Sequence, residues 1–181
     1  MKSLKMTVLS AIALLLCAAM AQAETKVTVG VGHMCCDSCK LSATTALSKV
    51  AGNVGIEGTT LTITLKENNL VPVLDALRKG GFPANRIEAG SAPVTINVGH
   101  LCCPGCKMGL TKALAGSKIE ELDTDAIKIG EDSVTVKAKD GKKLDLAPVL
   151  AAMEKGGFSA VKISLGAAAA SRPTRTHVAA R

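Results

Sequence analysis

The stretch GHMCCDSCK, from Gly32 to Lys40, returns as GHLCCPGCK from Gly99 to Lys107. Six of the seven cysteines lie in these two knots. The likeness runs well beyond them. VTVGVGHMCCDSCK matches VTINVGHLCCPGCK, and PVLDALRKGGFPA from Pro72 matches PVLAAMEKGGFSA from Pro148. Self-similarity on this scale means one structural unit written twice. The second copy is longer between the two matched blocks, around Lys118–Asp132 and Lys139–Lys143. Each copy spans roughly 65 to 75 residues, near the lower size at which a domain folds unaided. Composition points the same way. There is no Trp and no Tyr, and Phe82 and Phe158 are the sole aromatics, at one repeat position. Two small aliphatic cores accommodate that shortage better than one large core, where aromatics usually supply much of the buried area.

Each copy reads as strands and helices. Lys26–Val31 alternates apolar and polar residues, as a half-buried strand does. After the cysteine loop, Cys39–Val50 carries Leu41, Thr45, Leu47 and Val50 at helical spacing. Gly52–Gly58 is a weaker strand and Thr60–Lys66 a clean one, with Leu61, Ile63 and Leu65 alternating. Asn69–Lys79 reads as a helix with Pro72 in its first turn and Gly80-Gly81 after it. Pro83–Ala89 is the last strand. The second copy gives Val94–Val98, Pro104–Ala115, a strand near Ala126–Ile129, Ser133–Ala138, Leu146–Lys155 and Ala160–Leu165. The order is βαββαβ, so the expected fold class is α+β: two tandem ferredoxin-like units. They are expected at residues 24–89 and 94–166, joined by a short linker at 90–93 that keeps them close neighbours.

The chain ends have a different character. Lys2 and Lys5, an apolar run from Met6 and the small residues of Ala21-Gln22-Ala23 make 1–23 a secretory signal peptide. Cys17 falls inside it, and the bulky Leu14-Leu15-Leu16 before it suits a lipoprotein cleavage site poorly. Nothing further along approaches the roughly 20 apolar residues that span a bilayer. The expectation is an exported, periplasmic or secreted protein, not membrane-spanning once the signal is removed. Residues 167–181 have low complexity and no apolar period, and read as a disordered basic tail. The formal charge is +7, but no basic stripe interleaves with aromatics, so no nucleic acid is expected as partner. There is no Ser-His-Asp order, carboxylate cluster or phosphate loop, and no enzyme activity is expected.

The chemistry lies in the thiols. Cys36 would sit in the loop and Cys39 at the helix start, where unpaired N–H groups and the helix dipole favour thiolate. Lys40 adds charge of the same sense. Cys103, Cys106 and Lys107 repeat the arrangement. Thiolate pairs of this kind select soft ions such as Cu(I), Zn(II), Cd(II) or Hg(II) over Mg and Ca. An exported Cys-x-x-Cys at a helix start is also the arrangement of thiol–disulfide exchange proteins, or a structural disulfide. Both remain alternatives. Met34 reads as core, because Leu101 replaces it at similar volume.

The sequence resembles the heavy-metal-associated domain family. Its pattern is Met-x-Cys-x-x-Cys on a βαββαβ fold, in copper chaperones, copper-transporting ATPases and periplasmic mercury-binding proteins. Met34-Cys35-Cys36-Asp37-Ser38-Cys39 fits the whole motif, and Leu101-Cys102-Cys103-Pro104-Gly105-Cys106 fits it with Leu for Met. Gly81-Phe82 and Gly157-Phe158 look like the family's loop near the metal. The resemblance covers both repeats. It implies that Cys36 with Cys39, and Cys103 with Cys106, hold one soft ion per unit, Cu(I) or Zn(II) first. The metal ion would be the partner, together with a metal transporter or another metal-binding protein. Two features depart from the pattern: a cysteine at the variable position (Cys35, Cys102), and a histidine before the Met or Leu (His33, His100). A third thiol would complete a trigonal Cu(I) or Hg(II) site. Three thiols and an imidazole would make a Cys₃His set that suits zinc.

Overall fold

The computed structural model describes residues 25–166. The leader expected at 1–23 and the tail expected at 167–181 lie outside them. The first unit contains β1 (Lys26–Val31), α1 (Asp37–Leu47), β2 (Ala51–Glu57), β3 (Thr60–Leu65), α2 (Val71–Lys79) and β4 (Ala84–Glu88). The second contains β5 (Val94–Val98), α3 (Pro104–Ala115), β6 (Lys128–Ile129), β7 (Ser133–Val136), α4 (Leu146–Lys155) and β8 (Ala160–Leu165). Two antiparallel sheets result, ordered β2-β3-β1-β4 and β6-β7-β5-β8. The fold is the α+β, twice-written βαββαβ architecture that the repeat predicts.

Alternation along β1 buries Val27, Val29 and Val31 on one face. Register carries that face across the sheet: Val29 stands opposite Leu61 and Ile87, as Ile96 stands opposite Val134 and Ile163. These rows pack under the helices with Leu47, Leu77 and Phe82 in the first unit, and Leu114, Met153 and Phe158 in the second. The first helix differs from its predicted face. Ala43 and Leu47 are buried, while Leu41 is 70% exposed and Thr45 is exposed. The buried stripe follows Cys39, Ala43 and Leu47, which a small Ala hides in a hydrophobicity count. The helix also stops at Leu47, three residues short of the predicted end.

Both α2 and α4 end the same way. Gly81 and Gly157 take positive φ, +86° and +85°, a conformation that glycine enters without steric cost. The following N–H reaches back to the helix, Phe82 to Leu77 and Phe158 to Met153, which aims each Phe into its core. β6 has only two residues, because the longer loop before it is organised locally. The carboxylate of Asp123 accepts from the N–H groups of Asp125 and Ala126.

The two units seal each other's edge strands. Asn69 accepts at Oδ1 from the N–H of Ile163, and its repeat counterpart Asp145 accepts from the N–H of Ile87. Asn68 grips Leu165 through both its amide oxygen and nitrogen, at 2.9 and 2.8 Å. In the opposite corner the backbone of Leu144 bonds to Ala89 and Gly90. Exposed edges of β4 and β8 would otherwise present unpaired backbone groups. Between the units, Leu74, Leu150, Ile87 and Ile163 line a groove that Arg78 and Glu154 also border. Val31 pairs with Ala84 and Val98 with Ala160, so each cysteine knot adjoins the start of β4 or β8. The start of α4 meets the end of β4, and the start of α2 meets β8. Both knots therefore lie at the end of the molecule where α2 and α4 finish.

Candidate metal centre

Cys36 is the N-cap of α1 and Cys103 the N-cap of α3, both with extended backbone. Cys39 and Cys106 follow three residues later, one helical turn away and on the same side. Cys35 and Cys102 precede the caps. This register brings three sulfurs together in each unit. Cys36 Sγ lies 3.4 Å from Cys39 Sγ, and Cys35 Sγ lies 3.7 Å from Cys39 Sγ. In the second knot the corresponding separations are 3.4 and 3.8 Å. All three donor atoms of each knot lie within 4.8 Å of one another. The first two cysteines of each set are exposed and the third is half-buried.

The helix start acts on the cap cysteine. The Cys103 sulfur accepts from the N–H of Cys106 at 3.4 Å. That backbone N–H is the largest cause lowering the Cys103 pKa, followed by the thiol of Cys106. Cys36 is lowered in the same way by the N–H and thiol of Cys39, although its sulfur stands outside capping hydrogen-bond geometry. The partner thiols move the other way. Cys39 and Cys106 are raised, chiefly by the hydrogen bond each shares with its cap cysteine, then by the one shared with Cys35 or Cys102, by burial and by the like charge of these neighbours. Cys39, expected from the sequence at the helix start, lies inside the first turn. The cap is one turn earlier, so the thiolate-favouring position is Cys36. Lys40 is engaged by Asp37 at 2.9 Å, and that pair holds Asp37 below the usual carboxylate range. Pro104 stands where Asp37 does, so Lys107 lacks this partner.

The histidines lie elsewhere. The His33 ring sits on Phe82 with centroids 5.4 Å apart, and His100 on Phe158 at 5.8 Å. Neither imidazole belongs to the donor groups within 4.8 Å of one another. The structure brings together Cys35, Cys36 and Cys39, and Cys102, Cys103 and Cys106, without His33 or His100. Met34 and Leu101 are 8% and 6% exposed and join the core, so the Met34 thioether packs inward. The sequence reading missed Asn68, Asn69 and Asp145. Their signal was present, since Asn69 and Asp145 occupy one repeat position just before a helix.

No family model matches the chain, and no curated protein matches it. Among solved structures, it is similar to the water-soluble region of the P-type ATPase CopA from Bacillus subtilis. That likeness is at 17% identity over 86% of this chain and 100% of that one, with a TM-score of 0.37. What the site can do rests on its own atoms: each unit presents three clustered thiols, the donor chemistry of a soft metal ion.

Proposed function

We propose that this is an exported protein of the heavy-metal-associated kind, binding one soft metal ion at each cysteine knot for sequestration or transfer. The observation that carries the reading is the repeated cluster: three thiols gathered at a helix N-terminus, twice, with different residues between them. Cys36 and Cys103 are the first ligands, since the helix start favours their thiolates. Cys39 and Cys106 close the chelate. Exposure of the knots leaves the ion open to attack by another protein's thiol, so it passes on by ligand exchange, one bond at a time. Cu(I) and Zn(II) are the proposed cargo and a metal transporter or second metal-binding protein the proposed recipient. The leader directs the chain to the periplasm or outside the cell. The protein is not an enzyme on this reading. Among the described residues no helix is long and apolar enough to cross a membrane.

The test is native mass spectrometry of anaerobically purified protein titrated with Cu(I) and Zn(II). Two ions per chain, removed only by soft-metal chelators, is the expected result. A second reading is thiol–disulfide exchange. It is favoured by the same 3.4 Å contact, in which a lowered cap thiol faces a raised partner. No retained ion, with a disulfide that equilibrates with glutathione, would establish it instead.

A further inference from the structure

Resting on the reading of the knots as thiolate ion sites, we propose that each is shaped for a three-coordinate pyramidal thiophile, with arsenous acid as ligand. The sulfur separations limit which ion fits. With bonds of about 2.3 Å, the length of a zinc–thiolate bond, a linear two-thiolate ion needs sulfurs about 4.6 Å apart and a flat trigonal one about 4.0 Å apart. The separations here are 3.4 with 3.7 Å, and 3.4 with 3.8 Å. At the same bond length they correspond to angles of about 95° to 111° at the bound atom. Both angles fall short of the about 120° of a flat trigonal site, so a third sulfur pair drawn in to match them lifts the atom out of the plane of the three sulfurs.

An ion in that position is either tetrahedral, with a fourth ligand, or pyramidal, with a lone pair at the fourth vertex. The neighbours decide between them. At the first knot the His33 ring lies tilted against Phe82, Asp37 is paired with Lys40, and Met34 is buried in the core. At the second knot His100 is stacked on Phe158, while Leu101 and Pro104 offer no side-chain donor at all. Among the described residues, two knots with different neighbours both present three thiols and no fourth His, Cys, Asp or Glu in the cluster. Zinc would have to recruit its fourth ligand from outside. Trivalent arsenic needs none.

The step balances without any oxidant. Arsenous acid carries three hydroxyls. Each cysteine sulfur forms an As–S bond, one As–O bond breaks, and the departing hydroxide leaves as water with the proton released by the thiol. Three thiols are consumed and three waters released per site, and arsenic stays trivalent. Cys35 and Cys102 are therefore ligands in this reaction.

The experiment uses the full chain carrying Cys17→Ser, so that the six clustered cysteines are its only thiols, reduced with a phosphine. Arsenite is titrated and read by native mass spectrometry and arsenic K-edge absorption, with Cu(I) and Zn(II) titrated in parallel. Two arsenic atoms per chain, each replacing three protons and showing three As–S and no As–O neighbours, are expected. Adding Cys35→Ser and Cys102→Ser should weaken arsenite binding on the order of a hundredfold, the loss of one arm of a chelate. Its thermal transition reports whether the variant still folds, and the absorption spectrum of the unaltered knots stands apart from it. An As–O neighbour in the bound state, or undiminished affinity in a folded variant, overturns the three-thiol site. Tight Cu(I) or Zn(II) without arsenite overturns this inference alone. Binding of none of the three overturns the parent reading as well.

Discussion

The two knots differ in both residues between the paired cysteines and agree in almost everything else. Asp37-Ser38 becomes Pro104-Gly105, yet the shortest sulfur contact stays at 3.4 Å and the other moves from 3.7 to 3.8 Å. Aspartate and proline have no chemistry in common except that both are accepted at the first position of a helix. The sulfur geometry therefore comes from helix register, with one cysteine at the N-cap and the next one turn on. What the intervening residues change is charge. Asp37 places a carboxylate beside the first knot and ties up Lys40, while the second knot faces Lys107 without that carboxylate. Shape is common to both sites, and electrostatics distinguish them.

The largest effects should come from the shared foundation. Phe82 and Phe158 are buried, lie under the histidines, and are the sole aromatics. Phe→Ala at either position should cost about 3–5 kcal/mol in urea unfolding. The two variants should match closely if the repeats are physically equivalent, and a large disparity would break the equivalence.

The next contrast is in how the units hold each other. Asp145 accepts from Ile87 and Ala147 at 2.9 and 3.0 Å, while Asn69 accepts from Ile163 and Val71 at 3.2 Å each. Charged acceptors make the stronger bonds. Asp145→Ala should cost about 2 kcal/mol and Asn69→Ala about 1 kcal/mol. Each residue serves a helix of its own unit and an edge strand of the other, so both variants should still unfold in one transition. Separate transitions for the two halves would show that these bonds do not couple them.

Much of this architecture was legible because the sequence states it twice. A weak strand such as Ala51–Glu57 gains credibility from the repeat, α3 begins at Pro104, and both helices of the second copy end at a glycine. The pairs Cys36 with Cys39 and Cys103 with Cys106 were legible too, since spacing on one helical turn makes them meet; the approach of Cys35 and Cys102 was not, because they precede the helix, where turn spacing does not set their direction. The burial of α1 was not, because Ala43 carries the inward face and Leu41 faces solvent. The short β6 was not, because hydrogen bonds from one carboxylate at Asp123 shape its loop rather than any apolar period. The docking of the units was hidden for a similar reason. Asn68 and Asn69 look like ordinary helix-start residues until the strand they bind is known.

The smallest effect tests the charge difference directly. Cys36 and Cys103 are lowered and Cys39 and Cys106 raised, so as pH rises the cap thiols ionise first. An alkylating agent reads thiolate, and mass mapping after brief treatment should find Cys36 and Cys103 labelled at lower pH than their partners. Asp37 sharpens the comparison. Its carboxylate is ionised through this range and draws Lys40 to itself. In Asp37→Asn the negative charge beside the Cys36 thiolate is gone and the Lys40 ammonium is free to act on it. Both changes favour thiolate, so Cys36 should label faster at fixed pH below its titration, by about twofold given exposed, screened charges. The gain should shrink as salt is raised, and Cys103 in the same molecule should not change. A slower Cys36, or an equal change at Cys103, would mean that the two knots do not differ in the way their charges imply.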